Sequence, residues 1–214
     1  MKTRINLKLQ LAGAGLAMAL VSGGCAMMEP KAERYVAPPM GTTWVNAVRN
    51  TGSYGSGSIQ VPGRRGERMW QGSQAVTFDG AAGTIFARPD GSWLGIYKGD
   101  TPVITWDPPL TWQWPLEVGK TWTREQRVTI HTAKRTIPYR VTQKVEAYED
   151  VTVPAGTFKT FKISNVNSLG DDNLLWFSPE LGIFVKQSNK RTAKHAQGPG
   201  TQSSELMSYK RGAQ

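Results

Sequence analysis

The chain has 214 residues, 39% of them apolar, with 26 Lys plus Arg against 16 Asp plus Glu for a formal charge of +10. Its 8 Trp supply bulky apolar surface for a core, and Gly and Pro stay below the share that marks low complexity. A single Cys and 2 His exclude an intrachain disulfide framework, a Cys-based zinc cluster and a His-built metal site, so neither metal nor cofactor is expected.

The chain opens with MKTRINLK, which carries Lys2, Arg4 and Lys8 and no acid. Residues 9–21, LQLAGAGLAMALV, are apolar apart from Gln10. As a helix this stretch would span about 20 Å at about 1.5 Å per residue, short of a hydrocarbon core of roughly 30 Å. A basic start, a short apolar stretch and a small-residue zone together make a secretory signal peptide over residues 1–24. The zone reads VSGGC and holds the sole Cys, Cys25.

This zone resembles the lipobox of bacterial lipoproteins. The resemblance implies cleavage between Gly24 and Cys25, diacylation of the Cys25 thiol and acylation of the new amine. Gly23 and Gly24 have the small side chains the family requires, while Ser22 stands where it usually has Leu. Ala26 replaces the Asp of inner-membrane retention, which implies a Gram-negative outer membrane and a periplasm-facing domain. Each buried CH₂ of an acyl chain is worth about 0.8 kcal/mol, so the expected partner is the membrane itself. Loss of the signal takes away three basic residues and no acid, lowering the charge from +10 to +7.

Residues 25–42 read as lipid anchor and tether: three Pro, mixed charges and no sustained period. Residues 43–214 read as one β-rich domain. No Gly- and Pro-free window holds a helical apolar period, so no long helix is expected, whereas alternation is frequent. In YRVTQKVEAY, Tyr139, Val141, Val145 and Ala147 share one face and Arg140, Lys144 and Glu146 the other. Further strands are predicted over 44–49, 68–78, 84–88, 93–98, 103–106, 121–130, 157–165, 174–177, 183–189 and 204–209. Gly/Asp turn signals separate several of them. About ten short strands at this spacing predict an all-β fold, a single antiparallel sandwich, barrel or strongly curved sheet. The basic stretch 190–200 reads as a mobile loop.

The segment WDPPLTWQWPLEVGKTW holds three Pro and four Trp and cannot be a central strand throughout. It reads as a loop packed by its indoles, with Trp106, Trp112 and Trp114 as candidate ligand-facing aromatics. PLEVGKTW, VTVPAGTFKTFKI and LLWFSPELGIFVK, taken in that order, resemble a set of bacterial exported β-rich domains, among them TapB-like and domain-of-unknown-function lipoproteins. That resemblance covers about a third of the chain and brings no catalytic residue with it.

No catalytic constellation stands out. His131 and His195 lack a GxSxG partner. Glu149–Asp150 and Asp171–Asp172 are the paired carboxylates a hydrolase could use. Arg64, Arg65, Lys190 and Arg191 are candidate contacts for anionic envelope components, and nucleic acid is not an expected partner. The expected function is a non-enzymatic binding or assembly role in the envelope. The alternatives are a carrier of lipid or another apolar ligand in a cupped sheet, and an envelope hydrolase using a carboxylate pair. Cys25→Ser is expected to accumulate as full-length precursor, seen by gel mobility. Normal maturation of that variant would refute lipidation.

Overall fold

Period-two patterning gives most segments one apolar and one polar side, and the chain responds by running as a continuous meander. The structure, a computed structural model, describes residues 30–80 and 82–213. The signal segment, Gly24, Cys25 and Ala26 lie outside the described residues. The strands are β1 Lys31–Ala32, β2 Thr43–Gly52, β3 Gly57–Trp70, β4 Ser73–Gly80, β5 Gly83–Ala87, β6 Trp93–Lys98 and β7 Thr101–Leu110. They continue with β8 Leu116–Glu117, β9 Thr121–Ile130, β10 Arg135–Val153, β11 Gly156–Asn167, β12 Asp171–Ser178, β13 Ile183–Arg191 and β14 Gly200–Lys210. Apart from the pair β1–β8, each strand pairs antiparallel with its neighbour along the chain, and β14 pairs with β2. Twelve strands thereby close an up-and-down barrel.

This corrects the expectation of about ten short strands in a sandwich, barrel or curved sheet. The count is twelve in a closed barrel, and β10 alone runs 19 residues. The segment predicted as one strand over 68–78 is a hairpin. Gln71 and Gly72 both take positive φ (47° and 80°), the two-residue turn whose twist suits antiparallel partners. Most of β3 is hidden in the sequence by Pro62 and Gly63. It tolerates Pro62 because β4 pairs with it only from Arg65 onward, leaving an edge-like position. Similarly, Pro108 and Pro109 extend β7 beyond its last β9 partner, Asp107.

Inside and outside divide cleanly on β9 and β10. Trp122, Gln126, Val128, Tyr139, Val141, Gln143 and Val145 are buried. Thr123, Glu125, Arg127, Arg140, Lys144 and Glu146 are exposed. The outer wall also carries cross-strand threonine pairs, Thr123 with Thr142 and Thr152 with Thr157, each with hydroxyls 2.9 Å apart. A polar exterior with an apolar interior is the reverse of an outer-membrane barrel.

The main core lies within the barrel and contains Leu116, Trp122, Val145, Phe161, Ile163, Leu175 and Phe177. A second core forms where the β10–β11 hairpin leaves the wall. β11 pairs with β12 only from Phe161 onward, and a bulge at Val145/Ala147 bends the hairpin over β12 and β13 to β14. There the Ala155 N–H donates to the Leu206 carbonyl (3.0 Å) and the Trp176 indole N–H to the Glu149 carboxylate (2.8 Å). Val151, Val153, Trp176, Val185 and Leu206 fill the contact. The VPAGTF phrase is the turn of this hairpin.

Antiparallel order assigns the connections to two ends. The 71–72, 88–92, 111–120, 154–155 and 179–182 connections share the proximal end, where β2 begins. The 53–56, 99–100, 131–134, 168–170 and 192–199 connections and the β4–β5 hairpin share the distal end. Residues 30–42 run along the proximal end as a strap and pack against it in part. β1 pairs with β8, Ala32 joins the main core, and the Tyr35 hydroxyl donates to the Gly182 carbonyl (3.1 Å). Gly182 has φ +69°, and a Cβ there would collide with the Val36 carbonyl, so the strap and this turn require glycine. The 192–199 loop is tied down, with the Thr192 N–H and hydroxyl both donating to the Gly170 carbonyl (2.8 Å each).

Phe161, 1% exposed, sits where the inner core meets the bent hairpin. Phe161→Ala is expected to lower stability by about 3–5 kcal/mol. Val166→Ala, on the exposed part of the same strand, should stay within about 0.5 kcal/mol. Urea unfolding measures both.

Candidate ligand-binding lumen

A barrel wider than eight strands has more interior than its own side chains fill. Here the remainder is a cavity of about 240 Å³ between β2–β6 on one side and β12–β14 on the other. It runs from the proximal strap to the distal hairpin of β4 and β5, where Asp79, Gly80 and Gly83 line it and Gly80 is exposed.

The 111–120 connection supplies its floor. Pairing of β7 with β9 stops at Asp107, which leaves the wall open beside Thr121–Gln126, and the Trp-rich segment folds in through that gap. Its far end is locked to β10: the Gly119 N–H donates to the Val145 carbonyl (2.8 Å) and the Val145 N–H to the Lys120 carbonyl (2.9 Å). Trp112 lies 5.4 Å from Phe184 and 6.4 Å from Trp93, ring centre to ring centre. Trp114 lies 5.7 Å from Phe177 and 6.1 Å from Tyr35. All six rings line the cavity. Edge and tilted contacts at such separations stabilise aromatic clusters beyond their buried area.

Above this floor the wall turns polar, mostly through neutral groups. Cross-strand register aligns Gln143 with Asn165, Asn165 with Asn173, Asn173 with Asn189, Asn189 with Gln202 and Gln202 with Asn50. Directly opposed residues share a face, so six carboxamides form one belt over β10–β14 and β2. Gln202 Nε2 donates to Asn50 Oδ1 (3.1 Å), and the Trp122 indole donates to Gln143 Oε1 (2.8 Å). Gln143 is fully buried, and its Nε2 has no partner. Asn189 and Gln202 line the cavity, as do Gln187 and Ser204 one register row nearer the floor.

The aromatics predicted from sequence separate. Trp112 and Trp114 line the lumen, whereas Trp106 packs on Trp93 (6.2 Å) in a neighbouring cluster and does not line it. The four predicted anion contacts lie at opposite ends, because Arg64 pairs with Thr43 at the start of β2 while Arg191 is one strand from Gly52 at its finish. Arg65 is buried, 2.7 Å from the Glu67 carboxylate. Arg191 stacks 3.8 Å over Tyr54 and donates to the Ser53 carbonyl (2.9 Å). Arg64 and Lys190 are exposed. The carboxylate pairs are engaged singly: Glu149 accepts from Trp176, Asp150 pairs with Lys159 (2.7 Å), and Asp171 accepts from Asn167 (2.9 Å).

Sequence reasoning missed Tyr35, Trp93, Phe177, Phe184 and the belt as site residues. The available signal was the paired polar alternation Gln187/Asn189 and Gln202/Ser204, which reads as a solvent face until the barrel closes. A second cavity lies on the outer side of Trp112 and Trp114, lined also by Pro108, Pro109, Arg124 and Gln126.

A closed up-and-down barrel with a lined lumen is the class of protein this geometry defines. Neither a family model nor a curated protein matches the chain. Among solved structures it is similar to a Bacteroides fragilis protein described as exported with a YmcC-like fold, at 15% identity and TM-score 0.47, over 84% of this chain and 100% of that one. It is also similar to a Parabacteroides distasonis protein described as a lipoprotein (10%, TM-score 0.43, 84% and 99%). A third is the hypothetical lipoprotein YmcC of Escherichia coli (11%, TM-score 0.38, 81% and 86%). These are loose likenesses of shape and carry nothing about ligand or activity.

Two phenols are held protonated inside the barrel. Burial pushes Tyr35 strongly up, and pushes Tyr139 from its ordinary 10 up to about 12. An acid whose pKa is raised on folding contributes stability that is whole below its unfolded pKa and is lost as pH rises through the folded one. Stability is therefore expected to hold to about pH 10 and to fall between 10 and 12. Phenolate absorbance should show both residues ionising only on unfolding, and Tyr139→Phe should lessen the fall.

Proposed function

We propose that this chain is a lipid-anchored protein of the Gram-negative envelope, held through Cys25 at the outer membrane and facing the periplasm, whose barrel lumen binds a small apolar molecule. The observation that carries the reading is the cavity of about 240 Å³ with six aromatic rings at its proximal end. At about 30 Å³ per water-sized group, it takes roughly eight non-hydrogen atoms. Of the roles the sequence leaves open, carriage of an apolar ligand is the one that uses this space. The signal segment and the lone Cys25 support export and anchoring, and the charged outer wall suits an aqueous compartment.

The reading needs no catalytic residue. The work is binding: apolar surface leaves water, and each buried CH₂ contributes about 0.8 kcal/mol. An eight-carbon chain should therefore bind with a dissociation constant between about 1 µM and about 1 mM.

The test uses residues 30–214, which carry the strap, the floor and all twelve barrel strands. Titration with 1-octanol, followed by fluorescence of the lumen tryptophans and by native mass spectrometry, should give saturable one-to-one binding. Val61→Phe fills the cavity and should abolish it, whereas Met69→Ala, exposed on the same strand, should not. Absence of saturable binding to the unsubstituted protein would refute the proposal.

A further inference from the structure

The carboxamide belt points to the head of the ligand. We infer that the lumen takes a neutral amphiphile, its chain on the aromatic floor and an uncharged head rich in hydroxyl or amide groups at the belt. This rests on the apolar-ligand reading above and extends it from the tail to the head.

Three observations converge. The first is charge. The protein is strongly basic, yet no Lys, Arg or His lines this cavity among the described residues. The carboxylate that does line it is Asp79, which accepts from the Thr84 hydroxyl (2.7 Å) and would repel an anion. A carboxylate or phosphate head entering here would lose hydration without gaining a cation. Two cations face inward by register without lining the cavity. Arg65, opposite Phe78, is paired with the Glu67 carboxylate (2.7 Å). Arg191 stands opposite Asp171 on the next strand and is already committed to Ser53 and Tyr54. Arg124 lines the second cavity, beyond the indoles.

The second observation is the belt's donor and acceptor content. A carboxamide offers two donors and an acceptor that takes two bonds. Besides Gln202 to Asn50, Asn189 Nδ2 donates to Gln202 Oε1 (3.5 Å) and Asn173 Oδ1 accepts from the Lys190 N–H (3.1 Å). Donors and acceptors are still left over on Asn189 and Gln202, the two belt residues that line the cavity, where Asn46, Gln187 and Ser204 join them. Buried polar groups left unpaired are costly, so a belt of this kind is stabilised by an occupant that both donates and accepts. Hydroxyls and amides do both, whereas a quaternary ammonium does neither.

The third is position. Belt residues Asn50, Asn173, Asn189 and Gln202 each lie two residues from the distal end of their strands, at Gly52, Asp171, Arg191 and Gly200. The floor of Trp112, Trp114 and Tyr35 is at the other end. An amphiphile therefore fits in one direction: a tail of roughly eight carbons fills the cavity toward the strap, and the head stands at its distal mouth, against Asn189 and Gln202.

The experiment compares ligands with one tail and different heads: octyl glucoside, octanoate and octyltrimethylammonium, all below micelle formation, with 1-octanol as the reference for the tail. Octyl glucoside should bind at least about tenfold more tightly than either ion. Gln202→Leu should weaken octyl glucoside by about tenfold while changing 1-octanol by less than about twofold. Asn189→Leu should act alike if Gln202→Leu fails to fold. If either ion binds as tightly as the glucoside, or the belt variants leave glucoside affinity unchanged, the head assignment falls while the apolar-ligand reading stands on octanol. If no octyl compound binds, both fall.

Discussion

Closure of the wall by β14 on β2 is the constraint on which the rest depends. Ten register pairs from Gly200↔Gly52 to Lys210↔Thr43 join the last strand to the first of the barrel, with one bulge at Leu206/Ser208. Without that seam the sheet would have two open edges and the inward faces would meet water. With it, the apolar sides of twelve strands share one interior too wide for them to fill, and the cavity follows from geometry. The strap, the Trp-rich floor and the belt are three ways of furnishing that interior. The strap and floor close one end with aromatic bulk, and the belt lines the wall with neutral hydrogen-bonding groups.

The familiar phrases of the sequence turn out to be the furniture's fixings. In PLEVGKTW, Leu116 is almost fully buried, Gly119 and Lys120 bond to Val145, and Trp122 donates to Gln143. In LLWFSPELG, Phe177 faces the floor, Trp176 holds the bent hairpin through Glu149, and Gly182 receives Tyr35. The two lysines flanking Trp176, Lys162 and Lys186, stand 5.5 and 5.7 Å from its ring and shield it from solvent. These residues are structural in the strict sense that each positions a wall of the lumen.

How much of this could be read from the chain depends on the range of the interaction. Alternation on β9 and β10 is local, and it exposes Trp122, Val128, Val141 and Val145 as an inward face before any partner is known. The turn at 154–155, within VPAGTF, is local too. Barrel closure is not, because Ser204 and Val48 are ordinary alternating residues until they stand side by side. Pro62 and Gly63 obscured a 14-residue strand, since their cost is small only where a neighbouring strand is missing. The belt was invisible for the same reason. One Asn or Gln per strand looks like a solvated position, and only the register of six strands makes them a row. Trp112 and Trp114 were legible as a pair sharing a side, because their spacing of two is itself local.

The strap has a mechanical consequence. Residue 30 is five positions from Cys25, and the chain next meets the two-pair β1–β8 contact and the Tyr35–Gly182 bond before it reaches the ten-pair seam at β2. A pull applied at residue 30 is thus met in series, first by the short contact and only then by the long one. The strap yields at low load while the barrel holds, like a weak link placed ahead of a strong one. Tension on the N-terminal side of the strap is converted into an opening at the aromatic floor, with the remaining wall left intact.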